Sequence, residues 1–390
     1  MKIKFAFFLC ILHAFAAHAQ QDSLFNPTDI NIDHKKLLII GEKHYIQEFH
    51  DVQYRVIEHL ILQNPKIKNF QLLLERGPDI NYYLDKLILE DDSISLKEYY
   101  LFFSKSDTLS MLSKSYYDFF MKFYYLSKSL KDRRFQFNCY DDIRFLSHSI
   151  FTIFDILKKY PVTDSSFVVQ ISFLDSLLHD KKVNHDTNVD YKFSEFHQHF
   201  GSYFTENREK LKKMLTENDF YWISEIIRRS TPPGGHTVLW FNAHDKQNRE
   251  NRMFEEINNN YNDSTFFFCI IGALHVNKPY PKKESQLTRK KDDTSKVISV
   301  GEMLETCRNS HFKNKIMLCK LFALVEKNNS PKEDKRMPVS YPPVFQKYQD
   351  YLNSLLTGNI TLIEMRKTKI KHAHKIMDYL LVVKEANSML

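Results

Sequence analysis

Glycine is scarce in this sequence, with only 8 glycines among 390 residues. The glycine-rich motifs G-x-x-x-x-G-K-S/T and G-x-G-x-x-G, which hold nucleotide phosphates in many proteins, do not occur. The G-x-S-x-G elbow of serine hydrolases and the H-E-x-x-H motif of zinc proteases do not occur either. The sequence therefore disfavours a nucleotide-binding glycine loop and the usual serine-hydrolase elbow.

Cysteine is also rare, and its five residues are widely spaced. Cys10 falls in an amino-terminal apolar run, and the other four, Cys139, Cys269, Cys307 and Cys319, include no C-x-x-C pair. This spacing disfavours a metal–thiolate centre. Cys139 and Cys269 lie in predicted core strands, where cysteine acts as a small hydrophobic residue. A Cys307–Cys319 disulfide stays open as an alternative if the chain is exported.

The amino terminus has the three parts of a secretory signal peptide. Lys2 and Lys4 give a basic start, residues 5–17 form a largely apolar run, and Ala17-His18-Ala19 offers a small-residue cleavage site. A transmembrane anchor is the alternative, but the run is too short to span a bilayer comfortably. We therefore predict a signal peptide over residues 1–19, a periplasmic or secreted protein, and no transmembrane segment after cleavage.

The composition predicts a folded protein, because 43% of the residues are apolar and 14% are aromatic. We predict a single α/β domain over residues 20–390. The formal charge is +7, and basic residues concentrate at 282–291 and 366–371. Basic runs can bind nucleic acid or anionic membranes, but on an exported protein they more often form a solvated face. We therefore expect no nucleic-acid partner.

Five short apolar runs predict buried β-strands, and polar residues follow each of them. The runs are residues 37–40, 71–74, 135–140, 238–241 and 266–271. Helical patterns alternate with them, and the first places Phe49, Val52, Val56, Ile57 and Leu60 on one face. This alternation predicts an α/β fold: a mostly parallel central sheet with helices on both faces.

Large helical insertions interrupt this alternation. Residues 79–132 and 143–230 are long, rich in Tyr, Phe and Leu, and helical in pattern. Residues 281–296 predict a charged loop, and residues 328–343 predict a loop before a helical C-terminal region.

Titratable or charged residues follow all five predicted strands. They are Glu42, His44 and His50, then Glu75 and Arg76, then Asp141, then His244, then His275. Ligands of open α/β sheets bind beyond the carboxyl ends of the strands, so we predict one shared site there. Glu42 and His44 can point into it together, because residues two apart in an extended segment face the same way.

Carboxylates beside imidazoles support two kinds of chemistry. They can bind a divalent metal that activates water, or act as general acid and base without a metal. Each residue alone has an ordinary explanation, such as a helix cap or an ion pair of Arg76 with Glu42 or Glu75. The prediction therefore rests on Glu42, His44, Glu75 and His275 taken together.

Several segments resemble a known superfamily. Ile39–His44, followed by a helix and then Leu73–Arg76, resembles the opening of the ChaN-like, TIKI and erythromycin-esterase-like proteins. Arg249–Ile257 resembles their helix with an Arg and a Met near its start, and Cys269–Val276 resembles their closing strand, which ends in G-x-x-H. Asn242-Ala243-His244 is similar to the Asn-Ala-His signature of the esterase branch.

The resemblance covers residues 35–80 and 235–280 and implies an α/β fold with a polar site at the strand ends. Carried over by position, the site residues are Glu42, His44, Glu75, His244 and His275. The esterase branch spaces its Glu and His one residue further apart, so macrolide-esterase activity does not follow. The TIKI branch includes metal-dependent proteases, and the ChaN branch binds haem.

The leading hypothesis is an exported hydrolase of a small-molecule ester or a peptide. His44 or His275 would activate water, directly or as a metal ligand, while Glu42 and Glu75 orient or coordinate. The candidate metal ligands are His44, Glu75 and His275. The candidate substrate-binding residues are His50, Arg76, Asp141 and Arg249.

The second hypothesis is a non-catalytic protein that binds haem or another iron-bearing ligand. Tyrosine and histidine can ligate haem iron, and the helical insertions contain Tyr82, Tyr83, Tyr116 and Tyr117. Aromatic residues on helical faces more often fill cores, however. A non-catalytic surface or interaction domain is the third alternative.

Overall fold

The computed structural model describes most of the chain between Ile30 and Ser388. The described residues are 30–44, 46–104, 110–141, 146–161, 165–179, 195–230, 243–276, 297–328, 336–338, 345, 348–356, 358–370, 374 and 377–388. Three predicted features lie outside them: the signal peptide at 1–19, the fourth strand at 238–241 and the charged loop at 281–296.

An eight-stranded sheet forms the centre of the protein. Its strands are β1 (Leu37–Glu42), β2 (Asn69–Leu74), β3 (Arg134–Cys139), β4 (Thr265–Gly272), β5 (Ile316–Asn328), β6 (Arg336–Pro338), β7 (Ile360–Glu364) and β8 (Tyr379–Ser388). Their order is β3-β2-β4-β1-β5-β8-β7, and β6 pairs with β5. Neighbours from β3 to β8 run parallel, whereas β6 and β7 pair antiparallel. The predicted mostly parallel sheet is confirmed.

Helices connect and cover the strands. Those described are α1 (Gln47–Gln63), α2 (Pro78–Leu89), α3 (Ser93–Ser104), α4 (Met111–Ser129), α5 (Leu146–Leu157), α6 (Ser165–His179), α7 (Ser202–Glu206), α8 (Arg208–Met214), α9 (Glu217–Ser230), α10 (Ala243–Asn259), α11 (Val300–Thr306) and α12 (Gln349–Ser354). A π-helical turn, His197–Gly201, precedes α7, and a 3-10 turn, Ala273–His275, follows β4. Within the described residues, no helix is long and apolar enough to cross a membrane.

The side chains of β1 enter two cores, because neighbouring residues of a strand point to opposite faces. Leu38 and Ile40 join the core that contains the buried side chains of α1, α2, α4 and α5. Leu37 and Ile39 join the core that contains those of α10 and α11. All four are buried, which explains the continuous apolar run and confirms that helices cover both faces.

The first predicted helix is α1, and its predicted apolar face is buried. The face consists of Phe49, Val52, Val56, Ile57 and Leu60. The helix ends at Gln63, two residues before Pro65, which cannot continue it without losing a backbone hydrogen bond. Helices α2 to α4 and α5 to α9 occupy the two regions where the sequence predicts helical insertions.

The C-terminal region differs from the helical prediction. It adds β5, β7 and β8 to the sheet and contains the short helix α12. Residues 380–383 of β8 pair with β5 and are buried alternately in the two cores. A short apolar run does not reveal by its periodicity whether it is helix or strand, and here burial on both faces favours the strand. Cys307 and Cys319 are both free thiols, so the alternative of a disulfide is not realised.

The strand order brings distant parts of the sequence together at the carboxyl ends of neighbouring strands. Strand β4 lies between β1 and β2, with Glu42 paired to Gly272 and Leu74 paired to Ile270. The residues that follow β2 and β4 therefore lie close to Glu42. The candidate site lies at these strand ends.

Candidate active site

Gly272 lies at the centre of the site, where the ends of three strands meet. Its amide donates a hydrogen bond of 2.5 Å to Oε2 of Glu75. A Cβ atom at this position would lie 3.1 Å from Nε2 of His44 and 3.3 Å from Cδ2 of His275. Both imidazoles approach the backbone so closely that a side chain at position 272 would press against them.

Glu42 holds His44 in one orientation. Nδ1 of His44 lies 3.1 Å from Oε1 of the buried Glu42, and the other carboxylate oxygen accepts a hydrogen bond from Nε2 of Gln53 in α1. Because an ionised carboxylate only accepts, the neutral imidazole carries its hydrogen on Nδ1 and its lone pair on Nε2. That Nε2 lies 3.7 Å from Oε2 of Glu75, and the His44 side chain is 33% exposed. His44 thus presents a basic nitrogen that water can reach.

Arg249 links two buried carboxylates. It donates to Asp141 from Nε at 2.9 Å and from Nη2 at 2.6 Å, and to Oε1 of Glu75 from Nη2 at 2.6 Å. Burial by itself would lower the pKa of Arg249, but the carboxylates of Asp141 and Glu75 outweigh it and raise that pKa. The predicted substrate-binding residues Asp141 and Arg249 are therefore buried and bonded to each other, and they fix the position of Glu75.

Both ring nitrogens of His275 have protein partners. Nδ1 contacts Oε1 of the buried Glu250, whose other oxygen accepts a hydrogen bond of 2.6 Å from the amide of Val300. Nη1 of Arg249 lies 3.2 Å from Nε2 of His275 and donates to it. The His275 side chain is 15% exposed, about half the value for His44. His275 is therefore held inside the site, whereas His44 faces the solvent.

A small cleft of about 40 Å³ opens beside His44 and Glu75. It is also lined by His50, Arg76 and Tyr116. The guanidinium carbon of Arg76 lies 4.2 Å from the centre of the Tyr116 ring, which is a cation–π contact. The cleft thus combines a positive charge, an aromatic face and the exposed imidazole of His44.

Burial makes the contribution of His50 to stability sensitive to acid. Its Nδ1 lies 2.8 Å from Oγ of Ser115, and burial lowers the pKa of His50 from 6.5 to about 4, with Glu42 opposing and Arg76 reinforcing the shift. The folded protein binds this proton less readily than the unfolded chain does. The contribution is therefore complete above pH 6.5 and is lost as the pH falls towards 4.

The variant His50→Gln tests this linkage. Between pH 7 and pH 4.5 we expect its unfolding free energy to fall by about 2 kcal/mol less than that of the wild type. Urea unfolding at both pH values provides the measurement. Equal losses in the two proteins would show that His50 binds its proton as readily in the folded protein as in the unfolded chain.

The structure brings together most of the residues that the sequence singles out. Around the ends of β1, β2 and β4 lie Glu42, His44, Glu75, Asp141, Arg249 and His275. His50 and Arg76 line the adjoining cleft. His244 belongs to the first turn of α10, but its side chain lies outside the described residues.

Sequence reasoning missed Gln53 and Glu250, which hold Glu42 and His275 in place. Both occupy helical positions far from any predicted strand end. Gln53 follows Val52 on the buried side of α1, and a polar residue beside such an apolar face is a usable signal. Nothing in the local pattern distinguishes Glu250 from a solvent-exposed helical glutamate.

The predicted metal ligands His44, Glu75 and His275 do not form a metal site. Within the part of the chain that the structure describes, no group of three or more His, Cys, Asp or Glu side chains is placed to hold a metal ion. Arg249 gives the physical reason, because its guanidinium already bonds to Oε1 of Glu75 and to Nε2 of His275. A metal cation at these atoms would be repelled by that permanent charge, so this set does not fit a metal.

The tyrosines considered as haem ligands are core residues. Tyr82 and Tyr83 are buried, and the hydroxyl of Tyr83 donates to Oδ2 of Asp155 at 3.3 Å. Tyr116 and Tyr117 pack against the same core. Core packing therefore accounts for Tyr82, Tyr83 and Tyr117, whereas Tyr116 lies between the core and the cleft beside His44.

Comparison with known proteins finds similarity in structure. No family model matches the sequence, and no curated protein matches it significantly. The erythromycin esterase EreC, solved as a substituted variant in its open conformation, superposes with a TM-score of 0.57 at 13% identity, covering 92% of both chains. A Bacillus cereus protein superposes with a TM-score of 0.53 at 13% identity, covering 94% of both chains. The haem-binding ChaN of Campylobacter jejuni covers 90% of this chain and 89% of its own at 14% identity, but its TM-score of 0.33 is too low to carry an argument.

The superpositions cover more than nine-tenths of the chain. At 13% identity they establish architecture and leave function to be argued from the site. The resemblance that the sequence suggests is thereby confirmed at the level of architecture: this chain has the fold of erythromycin esterase.

Proposed function

We propose that this protein is a hydrolase in which His44 activates water for attack on an ester or peptide carbonyl. The observation that carries the proposal is the contact of Nδ1 of His44 with the buried Glu42, which places the basic Nε2 beside the cleft. A carboxylate that fixes the tautomer and orientation of an imidazole prepares it to act as a general base. The fold shared with an esterase is compatible with this chemistry.

The proposed reaction uses groups that are already in position. A water molecule can hydrogen-bond both Nε2 of His44 and Oε2 of Glu75, because these atoms are 3.7 Å apart. His44 removes a proton as the water oxygen bonds to the carbonyl carbon, and Glu75 stabilises the imidazolium that forms. The imidazolium then gives its proton to the leaving oxygen or nitrogen as the tetrahedral intermediate collapses.

Arg76 and His275 have supporting roles in this proposal. Arg76 lines the cleft with its positive charge, so we assign it to the oxyanion of the tetrahedral intermediate. His275 accepts from Arg249, which in turn holds Glu75. We therefore assign His275 to positioning, and the general base to His44.

Hydrolysis in oxygen-18 water tests the proposal. We expect the purified protein to cleave members of a panel of aryl esters, alkyl esters and peptides, and to place one labelled oxygen in the released acid. Glu42→Gln should lower kcat about 10- to 100-fold, because an amide no longer fixes the imidazole of His44. Glu58→Gln in α1 is the control, because Glu58 accepts from Tyr54 away from the cleft. No turnover on the whole panel, or equal turnover of both variants, would overturn the proposal.

We also propose that the protein is exported, because its basic start, apolar run and Ala17-His18-Ala19 site match a cleaved signal peptide. The mature chain is then expected to begin at Gln20. Mass spectrometry of the amino-terminal peptide after expression of the whole chain measures this, and Ala19→Arg should block cleavage. A folded, active protein that retains residues 1–19 would contradict the prediction.

A further inference from the structure

A second and larger cleft, of about 290 Å³, adjoins the candidate active site between α2, α3 and α4. It shares Glu75, Arg76 and Tyr116 with the first cleft. Its other walls are largely apolar and include Ile80, Tyr99, Tyr100, Phe103 and Leu112. A substrate whose carbonyl lies near His44 can therefore place its remaining part in this second cleft.

Asp79, Tyr99 and His148 form a hydrogen-bonded cluster in the wall of the second cleft. The Tyr99 hydroxyl lies 3.0 Å from Oδ2 of Asp79 and 2.5 Å from Nδ1 of His148. Tyr99 has one hydrogen and donates it to the carboxylate, so Nδ1 of a neutral His148 carries the hydrogen that Tyr99 accepts. The His148 ring also stacks on Phe103, with ring centres 3.7 Å apart.

This cluster carries one negative charge at neutral pH. Burial lowers the pKa of His148 to about 3, and the positive charge of Arg76 acts in the same direction, so the imidazole is neutral. Burial raises the pKa of Asp79 to about 6, although Tyr99 and backbone amides oppose this, so the carboxylate is still mostly ionised at pH 7.4. A desolvated carboxylate beside a neutral imidazole is stabilised by a cation that contacts it directly, and Arg76 in the same cleft favours binding of that cation at the Asp79 end.

A purely structural role accounts for Asp79 only in part. Asp79 lies in the first turn of α2, where a carboxylate interacts favourably with the amino-terminal end of the helix. That role does not require Tyr99 and His148 to line a cleft whose walls are aromatic. Aromatic faces attract cations and stack on aromatic ligands, which adds a second recognition element to the negative charge.

We propose that the second cleft binds the non-reacting part of the substrate, and that this part is an aromatic group carrying a positively charged nitrogen. The nitrogen pairs with Asp79, and the ring packs against Tyr100 and Phe103. Arg76 attracts the carbonyl end and Asp79 the cationic end, so these two charges set the direction in which the substrate lies. This proposal rests on the proposed hydrolase function only for the identity of the reacting end.

Two probes of nearly the same shape separate the effect of charge from that of size: (4-hydroxyphenyl)trimethylammonium and 4-tert-butylphenol. By titration calorimetry, we expect the protein to bind the cationic probe at least about tenfold more tightly than the neutral one. Asp79→Asn should bring the ratio of the two affinities close to one, and Phe103→Ala should weaken the binding of both probes. Asp118→Asn is the matched control, because Asp118 pairs with Lys114 on an exposed face of α4 and should leave the ratio unchanged.

Equal affinity of the wild-type protein for the two probes, or no binding of either, would overturn this proposal without reference to any variant. A preference that survives Asp79→Asn would overturn it as well. Because the measurement needs no turnover, its outcome is independent of the hydrolase proposal. A protein that prefers the cationic probe and hydrolyses nothing would refute the catalytic function alone.

Discussion

Replacing His44 by alanine is expected to lower kcat/KM for ester hydrolysis about 10²- to 10⁴-fold, the usual contribution of a positioned general base. Glu42 fixes the tautomer of His44, and Nε2 borders the cleft in which the water would lie. The unfolding free energy should fall by about 1 to 2 kcal/mol, because the buried Glu42 loses its imidazole partner but keeps the hydrogen bond from Gln53. Steady-state kinetics and urea unfolding of the same preparation measure the two effects together.

His275→Ala is the matched comparison for this experiment. Both nitrogens of His275 are bonded within the protein, so its loss leaves the buried carboxylate of Glu250 without its imidazole partner. We expect the unfolding free energy to fall by about 1 to 3 kcal/mol, with a smaller effect on turnover than His44→Ala has. Full activity of His44→Ala, together with complete loss in a folded His275→Ala, would transfer the role of base to His275.

The strands that carry the site could be predicted because burial on both faces leaves a readable pattern. Residues 37–40 and 72–74 are continuous apolar runs, Glu42 is the last residue of β1, and Glu75 directly follows β2. The position of β4 between β1 and β2 could not be read in this way. Strand order depends on the position in the sheet to which the chain returns after each connecting segment. The hydrophobic periodicity of a strand does not indicate that position.

The roles of individual polar residues were harder to predict than their location. Arg249 and Asp141 were expected to face substrate, but a buried guanidinium between carboxylates leaves the same local pattern as an exposed one. The strand at residues 379–388 gave no clear strand signal either, because pairing with β5 and burial on both faces decide its structure. Contacts of long sequence separation determine both outcomes, and the local sequence does not encode them.

Arg249→Met is expected to lower the unfolding free energy by about 3 to 5 kcal/mol, the largest stability effect that we predict. Removing one partner of a buried ion pair leaves uncompensated charge, and here both Asp141 and Glu75 would lose their hydrogen bonds to the guanidinium. Arg228→Met is the control, because Arg228 is about half exposed in its pairs with Glu225 and Glu256. This substitution should lower the unfolding free energy by at most about 1 kcal/mol.

The double variant Arg249→Met with Asp141→Asn separates charge from packing. If repulsion between the two unpaired carboxylates causes the loss, removing the charge of Asp141 should restore part of the unfolding free energy, and the two substitutions will not be additive. Additive losses would instead mean that the guanidinium acts mainly by filling space. Activity assays on the same preparations show whether stability and turnover recover together. Arg249 holds Glu75, and Glu75 faces the water that His44 would activate, so the double variant is expected to regain stability without regaining full activity.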